Sequence, residues 1–122
     1  MAGKDNVAET EKAIEDQARE QTGQRQVRVR VDERNLSTGY ANGFRANGTA
    51  EEIILDFGLN LVSPASSQDT QPEMLFQVNE RLIMNYYSAK RLAITLSQLI
   101  RRHEGQFGEL ELDVAKRRKP EK

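Results

Sequence analysis

Only one segment of this 122-residue chain carries a long apolar stripe at helical spacing. It is "SAKRLAITLSQLIRRHEGQFG", Ser88 to Gly108, in which Ala89, Leu92, Ala93, Leu96, Leu99 and Ile100 fall along one side of a helix. Most other apolar residues alternate with polar ones, the period of a half-buried strand. A sheet has two faces and one helix covers one of them. This mismatch predicts an α+β fold: four to five antiparallel strands in hairpins or a meander, packed against one long helix, with a second copy closing the remaining face.

The strands are read by parity. "QVRVRVDER" places Val27, Val29 and Val31 on one face and Arg28, Arg30 and Asp32 on the other. Between Tyr40 and Gly58, Asn-Gly occurs twice, at Asn42-Gly43 and Asn47-Gly48. Both residues tolerate the positive φ of a type I′ turn. A turn at Asn47-Gly48 sets Ala46 opposite Thr49 and Tyr40 opposite Leu55. Tyr40 then joins the face of Ile53, Leu55, Phe57, Leu59 and Leu61, so the hairpin is assigned there. Gly43 becomes an in-strand glycine, at a bulge or where another backbone passes closely. After a Ser/Pro-punctuated loop, "SPASSQDTQP", Met74 to Met84 reads as a third strand, with Phe76 and Val78 inward and a bulge near Glu80 or Arg81.

Ser88 is placed to cap the helix. Arg101, Arg102 and His103 sit in its expected last turn, against the negative end of the helix dipole, and Gly105 is the expected left-handed stop. "ELELDV" then alternates again, Leu110, Leu112 and Val114 inward and Glu109, Glu111 and Asp113 outward. Opposite charges stabilise neighbouring strands. Arg28 and Arg30 against Glu109 and Glu111 therefore predict that the first and last strands are neighbours, within one chain or across a dimer.

These elements divide the chain into a flexible acidic segment over 1–24, a single α+β domain over 25–114, and a basic flexible tail over 115–122. The first segment has few large aliphatics to offset its ordering entropy, so at most a transient helix is expected near Val7 to Arg19. If Ile53, Leu55 and Phe57 meet the helix, Ile54 and Val62 point to the opposite face, joined by Leu75 and Ile83. Those four residues are the candidate interface of a twofold homodimer burying roughly 1,600 Å² or more.

Chemistry is sparse. His103 is the sole histidine, and there is no cysteine. "RRHEGQ" is no nucleophile elbow, "GFRANG" lacks the Gly-Lys-Ser/Thr of a phosphate loop, and no GxGxxG occurs. Glu51, Glu52 and Asp56 invite a hard cation, but the adjacent glutamates alternate across a strand and read as a solvated hairpin end. Tyr86-Tyr87 reads as a strand-to-helix corner in preference to a base-stacking platform. No enzyme, cofactor or metal is expected. No signal-like or membrane-length apolar run occurs, and the lack of cysteine suits a reducing compartment, so a cytoplasmic location is expected. The expected role is a homodimeric interaction module that binds another protein.

The alternative role is nucleic-acid association. The formal net charge of −1 gives no overall steering. Local cations exist nonetheless: Arg28, Arg30, Lys90, Arg91, Arg101, Arg102 and the tail run Lys116, Arg117, Arg118 and Lys119 are the candidate phosphate contacts.

"YANGF", "EEIILDFG" and "SAKRLAITLSQLIRRHEGQFGEL" together resemble a small prokaryotic family, domain of unknown function 3467. Tyr40-Ala41-Asn42, Asp56-Phe57-Gly58, Ala89-Lys90-Arg91-Leu92 and Glu104 to Gly108 occupy the places of its motifs, in order, across residues 27–112. The chain differs in having Tyr87 before Ser88, no proline after that serine, and His103 where a tyrosine is common. The resemblance implies a shared domain and supplies no catalytic residue.

Overall fold

The computed structural model describes residues 2–63 and 71–120. The Ser/Pro-punctuated loop thus falls largely outside the described residues. In chain order the elements are α1 (Ala2–Thr22), β1 (Gly43–Gly48), β2 (Glu52–Ser63), β3 (Glu73–Asn85), α2 (Tyr86–Phe107) and α3 (Val114–Arg117). The chain divides into two units, residues 1–89 and residues 90–122, with the boundary early in α2. No helix among the described residues is long and apolar enough to cross a membrane.

The first unit holds a three-stranded antiparallel sheet in the order β1-β2-β3. It has three strands where the sequence predicts four to five. Residues 26–33 and 108–113 are irregular, so the alternating valine segment and the terminal "ELELDV" are not strands of this sheet. Alternation licenses an amphipathic strand but supplies no partner. Neither segment is joined to the sheet by the short turn chemistry that links β1 to β2.

That β1–β2 turn is three residues past the expected one. Thr49 N–H donates to the Glu52 carbonyl at 2.8 Å, and the Thr49 hydroxyl accepts from Glu51 N–H and Glu52 N–H at 3.3 and 3.1 Å. Asn47-Gly48 lies in β1, and among the described residues the only positive φ angles belong to Gly23 and Gly108, so no type I′ turn forms at either Asn-Gly. Pairs now read Gly48↔Ile53, Ala46↔Leu55, Arg45↔Asp56 and Gly43↔Gly58. The expected register would have set Arg45 against Ala50 and lost its partner Asp56. Tyr40 precedes β1 and is exposed rather than facing Leu55.

β3 spans the predicted third strand. Its register with β2 runs Phe57↔Glu80, then Gly58↔Val78, leaving Asn79 as the extra residue of a bulge. The bulge is one residue from its expected place, and it swaps the faces beyond it. Ile54, Asp56, Gly58, Asn60 and Val62 share one face with Ile83, Arg81, Val78, Phe76 and Met74. Ile53, Leu55, Phe57, Leu59 and Leu61 share the other with Met84, Leu82, Glu80, Gln77 and Leu75. Phe76 and Val78 therefore lie opposite the face predicted for them.

Helix α2 begins two residues before the predicted cap. Asn85, the last residue of β3, is the cap: its side-chain oxygen accepts from Ser88 N–H at 2.8 Å. The helix also runs through Gly105. The His103 and Phe107 rings meet one turn apart at 4.9 Å, and Glu104 accepts from Leu110 N–H at 2.9 Å, holding the extra turn. Gly108, at φ +97°, is the left-handed stop, its N–H donating to the Glu104 carbonyl at 2.8 Å. Arg101, Arg102 and His103 consequently do not sit in the last turn.

The amino-terminal helix α1 is longer than the transient one read from the sequence, spanning Ala2–Thr22. At the other end, α3 is a single turn capped by Asp113, whose carboxylate accepts from Ala115 N–H at 3.0 Å. It takes Lys116 and Arg117 of the basic run.

Candidate functional site

Asp56 is the most buried side chain of the described residues, at 1% exposed, and no apolar side chain among them is buried. Its neighbours explain how a carboxylate occupies that place. Arg45 of β1 donates from Nε to Oδ2 at 2.7 Å. Arg81 of β3 donates from Nε to Oδ1 at 2.7 Å and from Nη2 to Oδ2 at 3.1 Å. One carboxylate on the central strand thus ties both neighbouring strands together on one face, with register Arg45↔Asp56↔Arg81. Charge-assisted bonds of this kind are stronger than neutral ones, and burial without them would be costly.

The hydrogen bonds from Arg81 and then Arg45 hold the Asp56 carboxyl well below the usual carboxylate range. The same contact raises the Arg81 guanidinium above its ordinary value. Such a carboxylate stays ionised at neutral pH and is fully engaged, so it neither gives nor takes a proton there. The cluster fixes architecture.

Around it lie positions that admit no side chain. A Cβ on Gly58 would overlap the Gln77 carbonyl oxygen, backbone that cannot swing aside, at the bulge itself. Gly43 faces Gly58 across the strands, and a Cβ there would come within 2.6 Å of the Asn60 side chain. Gly43 is therefore the in-strand, close-approach glycine the sequence predicts, though a side chain and not a backbone passes it. Asn42 ends the β1–β2 pairing. Its N–H donates to the Gly58 carbonyl at 3.1 Å, and its side-chain oxygen accepts from Asn60 N–H at 2.7 Å. The Tyr86 hydroxyl donates to the Thr49 carbonyl at 2.7 Å and occupies the space where a Gly48 Cβ would be. Tyr86 accordingly fastens the strand-to-helix corner to the hairpin turn.

On the other face a cleft of 470 Å³ is lined by residues 37–41 together with Phe57, Asn79, Glu80 and Leu82. Tyr40 is one of the lining residues. Among the described residues no three His, Asp or Glu side chains converge to hold a metal. The weighed trio Glu51, Glu52 and Asp56 is not brought together for a cation, since Asp56 is occupied by two arginines.

Of the candidate interface, Ile54 and Ile83 face each other directly, and Val62 lies farther along the same face. Leu75 pairs with Leu61 on the opposite face, a consequence of the bulge. Val62, Leu75 and Ile83 are exposed, and Ile54 is half-buried. The candidate phosphate contacts are distributed over both units. Arg28 and Arg30 belong to the first, while Lys90, Arg91, Arg101, Arg102, Lys116, Arg117, Arg118 and Lys119 belong to the second. The Arg45–Asp56–Arg81 cluster escaped the sequence reading. Its signal was available as an aspartate flanked by large apolar residues, "IILDFG", in a strand that otherwise reads as buried.

The fold and this cluster define a small α+β protein: an antiparallel meander bolted by an inter-strand Arg–Asp–Arg group and followed by a long helix. The chain belongs to the family described as protein of unknown function (DUF3467), which matches residues 3–112. No curated protein and no solved structure gives a match. The family match confirms the resemblance and extends it through α1. The geometry gives the motif residues physical roles. Asn42 ends a strand, Asp56 ties three strands, and Gly58 admits a carbonyl at the bulge.

Proposed function

We propose that this chain is a non-enzymatic homodimeric module that binds another protein. One observation carries the reading: no apolar side chain among the described residues is buried, although both faces of the sheet bear rows of them. Phe44, Leu61, Leu75 and Leu82 are exposed on one face, and Val62, Met74, Val78 and Ile83 on the other. Leu92, Leu96, Leu99 and Ile100 of the α2 stripe are exposed as well. Burying apolar surface is the main favourable term in folding, about 25 cal/mol per Å². Scattered exposed aliphatics are ordinary, but contiguous rows on both faces of one sheet mark surfaces that are covered in use. A second copy is the simplest cover, because twofold dimers are the commonest assemblies.

The non-enzymatic part rests on Asp56, the one deeply buried ionisable group among the described residues, being consumed by structural bonds. Protein binding rests on two sheet faces being open while one copy of a partner chain covers one. A photo-crosslinking residue in place of Val62 tests it in cells. The reading expects a self-adduct and a discrete protein adduct. Self-adduct alone removes the protein partner, and an adduct with neither self nor protein removes the reading.

A further inference from the structure

We propose that residues 27–30 of one copy pair as an antiparallel strand with residues 109–112 of a second copy, an inference that rests on the dimer reading and names its contact. Both segments keep strand-like alternation without a strand partner. Val27 and Val29 are half-buried while Arg28 and Arg30 are exposed, yet among the described residues no backbone hydrogen bond holds residues 26–31. Leu110 and Leu112 are exposed, Leu112 at 89%. Among the described residues, Arg28, Arg30 and Glu109 make no hydrogen bond or ion pair. Among the described residues Glu111 accepts only from Asp113 N–H, at 3.0 Å, on one of its two carboxylate oxygens.

Charge and parity select one register. Facing residues in an antiparallel pair share a face. Setting Val29 opposite Leu110 also sets Val27 opposite Leu112, Arg28 opposite Glu111 and Arg30 opposite Glu109. All four positions are then complementary, valine on leucine and arginine on glutamate. A slip of one residue puts valine against glutamate. Sliding two residues one way leaves a single Arg–Glu pair, and two the other way sets Asp32 against Glu109 and draws on Asp113. Asp113 is committed as the cap of α3. If Val29 and Leu110 form the non-hydrogen-bonded pair, Leu110 N–H points away from the new strand and keeps its bond to Glu104.

A twofold dimer contains this pairing twice, which makes a mixing experiment decisive. Chain X carries Arg28→Glu and Arg30→Glu; chain Y carries Glu109→Arg and Glu111→Arg. Alone, each sets like charges against each other in both pairings. Mixed, X and Y restore opposite charges in both. The proposal expects X and Y each to dimerise at least about tenfold more weakly than the native chain, and a 1:1 mixture to recover the native affinity. Undiminished dimers of X or Y overturn it. So does a mixture that stays monomeric, including the case in which one chain with all four reversals recovers alone, the mark of pairing within a chain. Should X or Y lose its helical signal, Val29→Cys with Leu110→Cys takes over, in a chain with no cysteine of its own. A disulfide-linked dimer supports the pairing, and an intramolecular disulfide or none overturns it. A monomeric native chain sinks the dimer reading itself, whereas unaffected variants of a dimeric chain sink only this contact.

Discussion

The sheet's two halves, joined by the same central strand, behave differently. Over Ile53–Gly58, β2 lies between β1 and β3; over Leu59–Ser63 it pairs with β3 alone. Gly43, Asp56 and Gly58, the buried ones among the described residues, all belong to the three-stranded half, while Leu61, Val62 and Ser63 are exposed. The far half is no less apolar. Burial here follows strand count and the Arg–Asp–Arg tie rather than hydrophobicity, and even in the near half Phe44, Leu82 and Ile83 stay exposed.

The comparison breaks most visibly at Gly58, where the halves meet. Gly58→Val drives a side chain into the Gln77 carbonyl. It is expected to cost about 3 kcal/mol or more, read as a lowered urea midpoint or loss of the folded state. A variant as stable as the native chain would show that the bulge is not required. Next comes Asp56→Asn, which leaves two guanidiniums facing each other without their carboxylate. It should destabilise less than Gly58→Val but more than any loop substitution.

The same residue sets an acid limb. Because Asp56 is held below the usual carboxylate range, its contribution is fully present above its unfolded value near pH 4. It is lost as pH falls below that toward the depressed folded value. Urea midpoints measured from pH 7 downward should fall more steeply in the native chain than in Asp56→Asn. Equal slopes would mean the carboxylate is not engaged.

A smaller effect sharpens the border between the halves. Asn42→Ala removes the acceptor of Asn60 N–H and should cost about 1 kcal/mol, with faster hydrogen exchange at Asn60 and little change at Ile54. The smallest expected effect has the opposite sign. Gly105 lies inside α2 with open space around it, so Gly105→Ala should raise stability by about 0.5–1 kcal/mol. Destabilisation there would restore Gly105 as the helix stop.

Much of the architecture was legible in the sequence because period carries it. The long helix, the third strand and a bulge within two residues of Glu80 all follow from where apolar residues fall. Registers were less legible. Asn47-Gly48 is the stronger local turn signal, yet the Thr49 hydroxyl and the distant pairing of Arg45 with Asp56 win. Gly48 serves a different purpose, room for the Tyr86 hydroxyl, which no local rule reveals. The valine segment alternates as strictly as β2, but pairing depends on a partner and not on the pattern alone. Leu75 changed face because one extra residue, Asn79, inverts everything beyond it. The Asp56 cluster was hidden because its arginines lie 11 residues before and 25 after it.

Sedimentation of the native chain over a wide concentration range tests the central claim that one copy cannot cover its own sheet. The account predicts a species of twice the 13.9 kDa chain mass that dissociates only on dilution, with loss of folded structure following dissociation. A stably folded 13.9 kDa species at every concentration would contradict it.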